Sequence, residues 1–228
     1  MKYIKKFLEY FDGFPTFTVK DVKLFLSKHG TRGNYYKTFM HSMVKNGRAY
    51  TIKKGRYTLH DDPMVAGFAF SPFYYGMETA LTHYKLWNYM APISIVTTNR
   101  VRSKDIKLLG RNATVRKIQK SKFFGYSMVH YKDDMYIPMA DIEKTLIDSV
   151  YFHAHFSSDV YAELAKKIDR KKLEGYLKEY SGIVKRQVNN VIEFGPLSKE
   201  IAAHLKKRGM KQEFVVRAVK YARKKSSS

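Results

Sequence analysis

Residues 45–62 read KNGRAYTIKKGRYTLHDD. Asn46-Gly47 signals the end of a helix, because a residue that enters positive φ without a Cβ penalty stops one cleanly. The next segment alternates with period two about Lys54-Gly55, the pattern of a β-hairpin closed by a tight turn. Three cations, Lys53, Lys54 and Arg56, lie at its tip. The function of such a hairpin depends on the elements that precede it.

Upstream, Ile4, Phe7, Leu8 and Phe11 recur at helical spacing, which predicts a first helix over 2–11, closed by Asp12-Gly13 and Pro15. Thr18 is placed to cap a second helix, with Asp21 three residues on as the capping-box acid. Val19, Val22, Phe25 and Leu26 form its apolar face. Gly30 and Gly33 break the chain, with Thr31 and Asn34 able to cap a further helix. This third helix, over about 34–45, turns Phe39, Met40 and Met43 inward. The order helix, helix, turn, helix, hairpin predicts a winged helix-turn-helix over residues 1–62.

That reading leaves Asn34, Tyr35, Lys37, Thr38, His41 and Lys45 on the outer face of the third helix. Amide, hydroxyl and cationic groups on one helix match the width and hydrogen-bonding edges of the DNA major groove. Arg32 precedes the helix at a position suited to a backbone phosphate. Lys53, Lys54 and Arg56 would meet phosphate or the adjacent minor groove. A winged helix can also bind protein, and a protein-interaction module without DNA binding is the alternative.

Downstream, Asp61-Asp62-Pro63 ends the hairpin, and a second domain is expected over 63–195. A helix over METALTHYKLW (77–87) and a buried strand over ISIVTT (93–98) open it. Strands at 113–118, 123–131 and 135–139 come next, with turns at Gly110-Arg111-Asn112 and Lys132-Asp133-Asp134. From Ala140 the pattern is helical. In ADIEKTLIDSVYFH, Ile142, Leu146, Ile147 and Val150 share one face, and Asp141, Glu143, Lys144 and Asp148 are expected mostly on the other. Further helices are expected at 158–168, 170–180, 182–193 and 198–208. Residues 196–228 read as a basic helical extension with a last helix over about 211–224. The fold class is α+β: a winged helix-turn-helix, then a mixed α/β domain with a small sheet and a helical C-terminal part.

Charge supports a polyanionic partner. Lys and Arg outnumber Asp and Glu by 43 to 20, a net charge of +23, and an imbalance of that size creates a field that attracts nucleic acid. It is +8 over residues 1–62, +7 over 63–139 and +8 over 140–228, so charge alone does not localise the contact. With no cysteine, disulfides, thiolate zinc sites and a cysteine nucleophile are excluded. No signal peptide or twenty-residue apolar span is visible, which predicts a cytoplasmic protein with no membrane partner.

Catalytic patterns are weak. Asp133 and Asp134 read as a turn, and Glu143 is directly beside Lys144 on a predicted helix, so neither makes the acid and Asp/Glu-x-Lys pattern of a metal-dependent nuclease. That is the third and weakest reading. His153 and His155, two apart, point to opposed sides of a helix and read as helix-end residues, not metal ligands. His83 also lacks a partner. Neither GxxxxGK[ST] nor GxGxxG occurs. The expectation is a binder, not an enzyme, with no metal and no cofactor.

Four segments carry a family resemblance: VKNGRAYTIKKGRYTLHDD (44–62), YGMETALTHYKLWNYMAPISIVTTN (75–99), IPMADIEKTLIDSVY (137–151) and IDRKKLEGYLKEYSGIVKRQVNNVIE (168–193). In this order they resemble the AbiEi family, the antitoxin half of abortive-infection, type IV toxin–antitoxin pairs. The resemblance implies a cytosolic repressor of its own operon, made alongside a nucleotidyltransferase-like toxin. It places operator DNA on the third helix and the wing, and a toxin-countering role on the C-terminal domain, without identifying antitoxic residues.

Overall fold

The computed structural model describes residues 3–101, 105–154 and 156–193. The chain is α+β and divides into two compact units. Among the described residues, one comprises 3–79, 89–101, 105–123 and 127–139; the other takes Ala80–Asn88, Phe124–Tyr126, 140–154 and 156–193.

The first unit begins α1 (Ile4–Phe11), β1 (Phe17–Thr18), α2 (Val19–Lys28), α3 (Tyr35–Lys45), β2 (Tyr50–Lys53) and β3 (Arg56–Thr58). The helices arise where the apolar spacing places them. Phe7 is wholly buried, with its ring 4.6 to 5.5 Å from those of Phe11, Phe17, Phe25 and Phe39. An aromatic cluster of this kind supplies large apolar burial and favourable edge-to-face contacts together. The capping box forms as expected: Thr18 N donates to Asp21 Oδ2 at 2.7 Å, and Asp21 N donates to Thr18 Oγ1 at 3.3 Å. The small sheet has the order β1-β3-β2, both pairings antiparallel. Strand β1 was not anticipated; at two residues, it has no periodicity to read.

Next come a 3-10 helix (Val65–Phe70), β4 (Phe73–Tyr75), α4 (Met77–His83), β5 (Ile93–Thr97), β6 (Asp105–Leu108), β7 (Arg111–Lys117), β8 (Tyr126–Lys132) and β9 (Met135–Ala140). These strands form one six-stranded sheet in the order β6-β7-β5-β4-β9-β8. Pairing is parallel for β5/β7 and β4/β9, and antiparallel for β4/β5 and β6/β7. Every residue of β5 is buried, which is why Ile93, Ile95 and Val96 do not alternate with charged residues; the polar Ser94 and Thr97 are hydrogen-bonded, Ser94 N donating to Thr79 Oγ1 and Thr97 Oγ1 to Pro72 O. Two strands here are not among the expected elements. β4 is three residues between Pro72 and Gly76, and β6 carries only two apolar residues. The turn before β7 also differs from expectation: Leu109 and Gly110 take positive φ, and Arg111 already starts the strand. Asp133, at φ +49, makes the β8–β9 turn as predicted.

In the second unit α5 (Ile142–Tyr151), α6 (Ser158–Lys167), α7 (Arg170–Leu177) and a helix over 182–193, here α8, pack around Leu146, Ile147, Leu164, Leu173, Leu177 and Val188. α7 ends before the expected 180. The expected helices at 198–208 and 211–224, and the extension 196–228, lie outside the described residues.

One expectation is reversed. Glu143, Lys144 and Asp148 are buried, not on a solvent face. α5 is covered on all sides, and its charges are solvated by protein groups. Lys144 Nζ bonds Asp148 and, at 2.8 Å, Tyr180 Oη. Glu143 accepts from Asp169 N at 2.9 Å and pairs with Lys172 at 3.0 Å. Asp141 caps α5 through Lys144 N at 2.8 Å and accepts from Tyr176 Oη at 2.8 Å and Lys172 at 3.0 Å. Buried charge is tolerated only when paired and hydrogen-bonded in this way.

Candidate nucleic-acid interface

α3 is delimited at both ends by glycine. Gly30 and Gly33 have φ of +82° and +69°, allowing the chain to double back between α2 and α3. Gly47, at φ +65°, ends α3, with Asn46 Nδ2 donating to Ser42 O at 2.9 Å. Asn34 occupies the N-cap position, but its side chain makes no capping bond; the turn is held by Lys37 N donating to Asn34 O at 2.9 Å. The anticipated side-chain cap from Thr31 or Asn34 is therefore not made.

Helical geometry separates two faces. At about 100° per residue, Asn34, Lys37, Thr38, His41 and Lys45 span an arc of about 100°, and Phe39, Met40 and Met43 centre on the opposite side. The latter three are buried, at 0%, 4% and 1% exposure, while the first five are exposed. Arg32, in the turn before α3, is exposed too. Tyr35 falls beside the apolar arc instead. It is half-buried, with its ring 6.1 Å from that of Phe39, so much of its surface serves the core.

The hairpin tip is held against its surroundings. Gly55 turns it at φ +76°, and Val19 N donates to Gly55 O at 3.2 Å, fixing the tip to the start of α2. Lys53 Nζ lies 4.3 Å from the centre of the Phe70 ring, a cation–π distance. Burial, followed by the nearby Arg56 guanidinium, lowers the Lys53 pKa. Arg56 is half-buried and Lys54 is exposed. Lys53 and Lys54 are thus both exposed, with Lys53 also engaged by Phe70, and Arg56 is the least accessible of the three.

Among the described residues, no three His, Asp or Glu side chains group to hold a metal, and no helix is long and apolar enough to cross a membrane. Asp133 and Asp134 are exposed on a turn. His153 lies just past the end of α5 at φ +55°, and His155 lies outside the described residues. The polar set on α5 and α7 was missed as a unit, although the i,i+4 spacing of Lys144 and Asp148 is a visible signal for an ion pair.

The fold defines a mixed α+β protein. No protein-family model matches the sequence, and no curated protein matches it. The fold is similar to that in the crystal structure of RV2827C protein from Mycobacterium tuberculosis, with a TM-score of 0.55 at 14% identity, covering 80% of this chain and 73% of that one. At that identity the likeness concerns the fold alone.

Proposed function

We propose that residues 1–62 form a winged helix-turn-helix and that the protein binds operator DNA as a transcriptional regulator. In the fuller reading it is a cytoplasmic antitoxin of the AbiEi type, autorepressing an operon shared with a nucleotidyltransferase-like toxin. The observation that carries the DNA reading is α3: one exposed face bears Asn34, Lys37, Thr38, His41 and Lys45, opposite a face buried by Phe39, Met40 and Met43. The binding free energy would come from phosphate contacts by Arg32, Lys45 and Lys54. Discrimination would come from base edges reached by Asn34, Lys37, Thr38 and His41.

The test is binding to duplexes tiled across the DNA upstream of the protein's own reading frame. A preferred duplex is expected, and Lys37→Ala/Thr38→Ala/His41→Ala should cost about 1–3 kcal/mol of discrimination per lost base contact. Equal affinity of wild type for every tile would remove the operator reading. Co-expression with the neighbouring frame tests the antitoxin reading: growth arrest by that frame alone should be relieved by this protein.

The protein-interaction alternative is favoured by a shallow groove of about 210 Å³ on the α1–α2 side, where Tyr10, Phe14 and Leu24 are about half exposed. Capture of a protein partner after nuclease treatment, combined with no duplex binding, would favour it.

A further inference from the structure

The net charge of residues 63–139 is concentrated in one place. That stretch holds 11 Lys/Arg and 4 Asp/Glu. Residues 100–122 contain 9 of the 11 cations and 1 of the 4 acids, so the remainder (2 cations, 3 acids) is slightly negative. Of these nine cations, the structure places Lys107 on β6 and Arg111, Arg116 and Lys117 on β7, at one edge of the six-stranded sheet, and Lys120 and Lys122 on the 3-10 helix just beyond it. Lys107, Arg111, Lys117 and Lys120 are exposed there. None of the four forms an ion pair among the described residues, although Lys5, Lys144, Lys166 and Lys172 elsewhere all do. The register Lys107↔Asn112 and Leu108↔Arg111 puts Lys107 on one face of the hairpin and Arg111 on the other, so the cations surround the edge. Asp105 is the one acid of the stretch and shares a face with Lys107, so the edge keeps a net positive charge that packing does not require.

A second feature selects the ligand. Although 15% of the chain is aromatic, residues 100–122 contain no Phe, Tyr or Trp. Single-stranded nucleic acid is held by aromatic side chains that stack on bases, together with cations that follow the backbone. Here cations and small polar groups occur without a stacking ring, and Phe123 and Phe124, which follow, are half-buried and packed on Tyr74 and Tyr176, which suits a ligand whose bases are already stacked and whose phosphates face outward. We propose that the β6–β7 edge is a second, sequence-independent DNA site that binds the phosphate backbone of a duplex. This rests on the reading of the protein as a duplex-DNA binder, and it adds a contact surface separate from α3 and the wing.

The experiment uses the full chain and a fluorescent duplex of mixed sequence, titrated across salt by anisotropy. Lys107→Gln/Arg111→Gln/Lys117→Gln/Lys120→Gln should flatten the slope of log K against log salt by about 2–4 units, at close to one unit per lost phosphate contact. The double variant Lys117→Gln/Lys120→Gln, at the strand end and beyond it, should flatten it by about half as much if the quadruple variant does not fold. A wild-type slope in either folded variant overturns the second site and leaves the α3 reading intact. Loss of the slope in these variants, with none lost in Lys37→Gln/Lys45→Gln, supports the edge site; the α3 reading falls if that double variant also keeps full affinity for the preferred upstream tile. If wild type binds no duplex, both fall. If it binds the single strand or an RNA of the same sequence as tightly as the duplex, the assignment of a duplex ligand is overturned.

Discussion

Phe7 and Lys144 are both wholly buried and impose opposite demands. Phe7 holds the N-terminal core through four aromatic neighbours, so Phe7→Ala should destabilise by about 3–5 kcal/mol in urea denaturation. Lys144→Met should cost about 3–5 kcal/mol as well, because it leaves the Asp148 carboxylate buried without its ammonium. In the double variant Lys144→Met/Asp148→Leu most of that loss should return, since paired buried charges and apolar residues of similar volume are close in stability. Failure of the double variant to recover would place the role of the pair elsewhere. Protonation adds a pH dependence. Burial first, then the Asp148 charge, raises the Tyr180 pKa; burial and the bond to Asp141 raise that of Tyr176 to about 12. A raised folded-state pKa favours the protonated phenol. Its stabilisation is therefore complete below the ordinary phenol value of about 10 and is lost as pH climbs above it. The thermal midpoint should fall on the alkaline side of that value, and less steeply in Tyr180→Phe.

At the level of elements, caps and turns govern local stability. Thr18→Ala removes one half of the α2 capping box and should cost about 1 kcal/mol, measurable as a shifted denaturation midpoint at unchanged slope. Gly125 bears a heavier constraint: it has φ +73°, and a Cβ there would lie 2.9 Å from both Lys144 Cβ and Tyr176 Cε2. Gly125→Ala should therefore destabilise the second unit by more than about 1–3 kcal/mol, the cost of the backbone conformation alone. The elements legible in advance were those with their own periodicity or punctuation: the helices α1 to α8, the β2–β3 hairpin, the largely β-branched β5, and β7, β8 and β9 with their ends shifted by a few residues. β1, β4 and β6 were not, because two to four residues are too few for a period to stand out; β2 and β3, equally short, are marked by the Lys54-Gly55 turn between them.

For the whole molecule, a net charge of +23 makes the folded state repel itself. Raising NaCl from about 50 to 300 mM shortens the screening length to several ångströms and should raise the thermal midpoint. A midpoint that falls with salt would mean that attractive pairs outweigh this repulsion. Salt should at the same time weaken DNA binding, because released counterions drive it. Stability and affinity are thus expected to move in opposite directions along one titration.

Helix spacing, the glycine exits and the capping box were legible from the residues alone, because each depends on residues within about one turn of each other, and the sign of the charge was too, because it is a sum over composition. The sequence also indicated which side of α3 faces out, because the apolar spacing of Phe39, Met40 and Met43 requires it. Only the tertiary structure decided that the charged side of α5 is buried, since the groups that solvate it come from α7 and the segment after it. Lys53 is held over Phe70, Tyr35 rests on the core, and Lys107, Arg111 and Lys117 come to lie on the paired strands β6 and β7 for the same reason. Each depends on contacts between separate segments of the chain, which local periodicity does not encode.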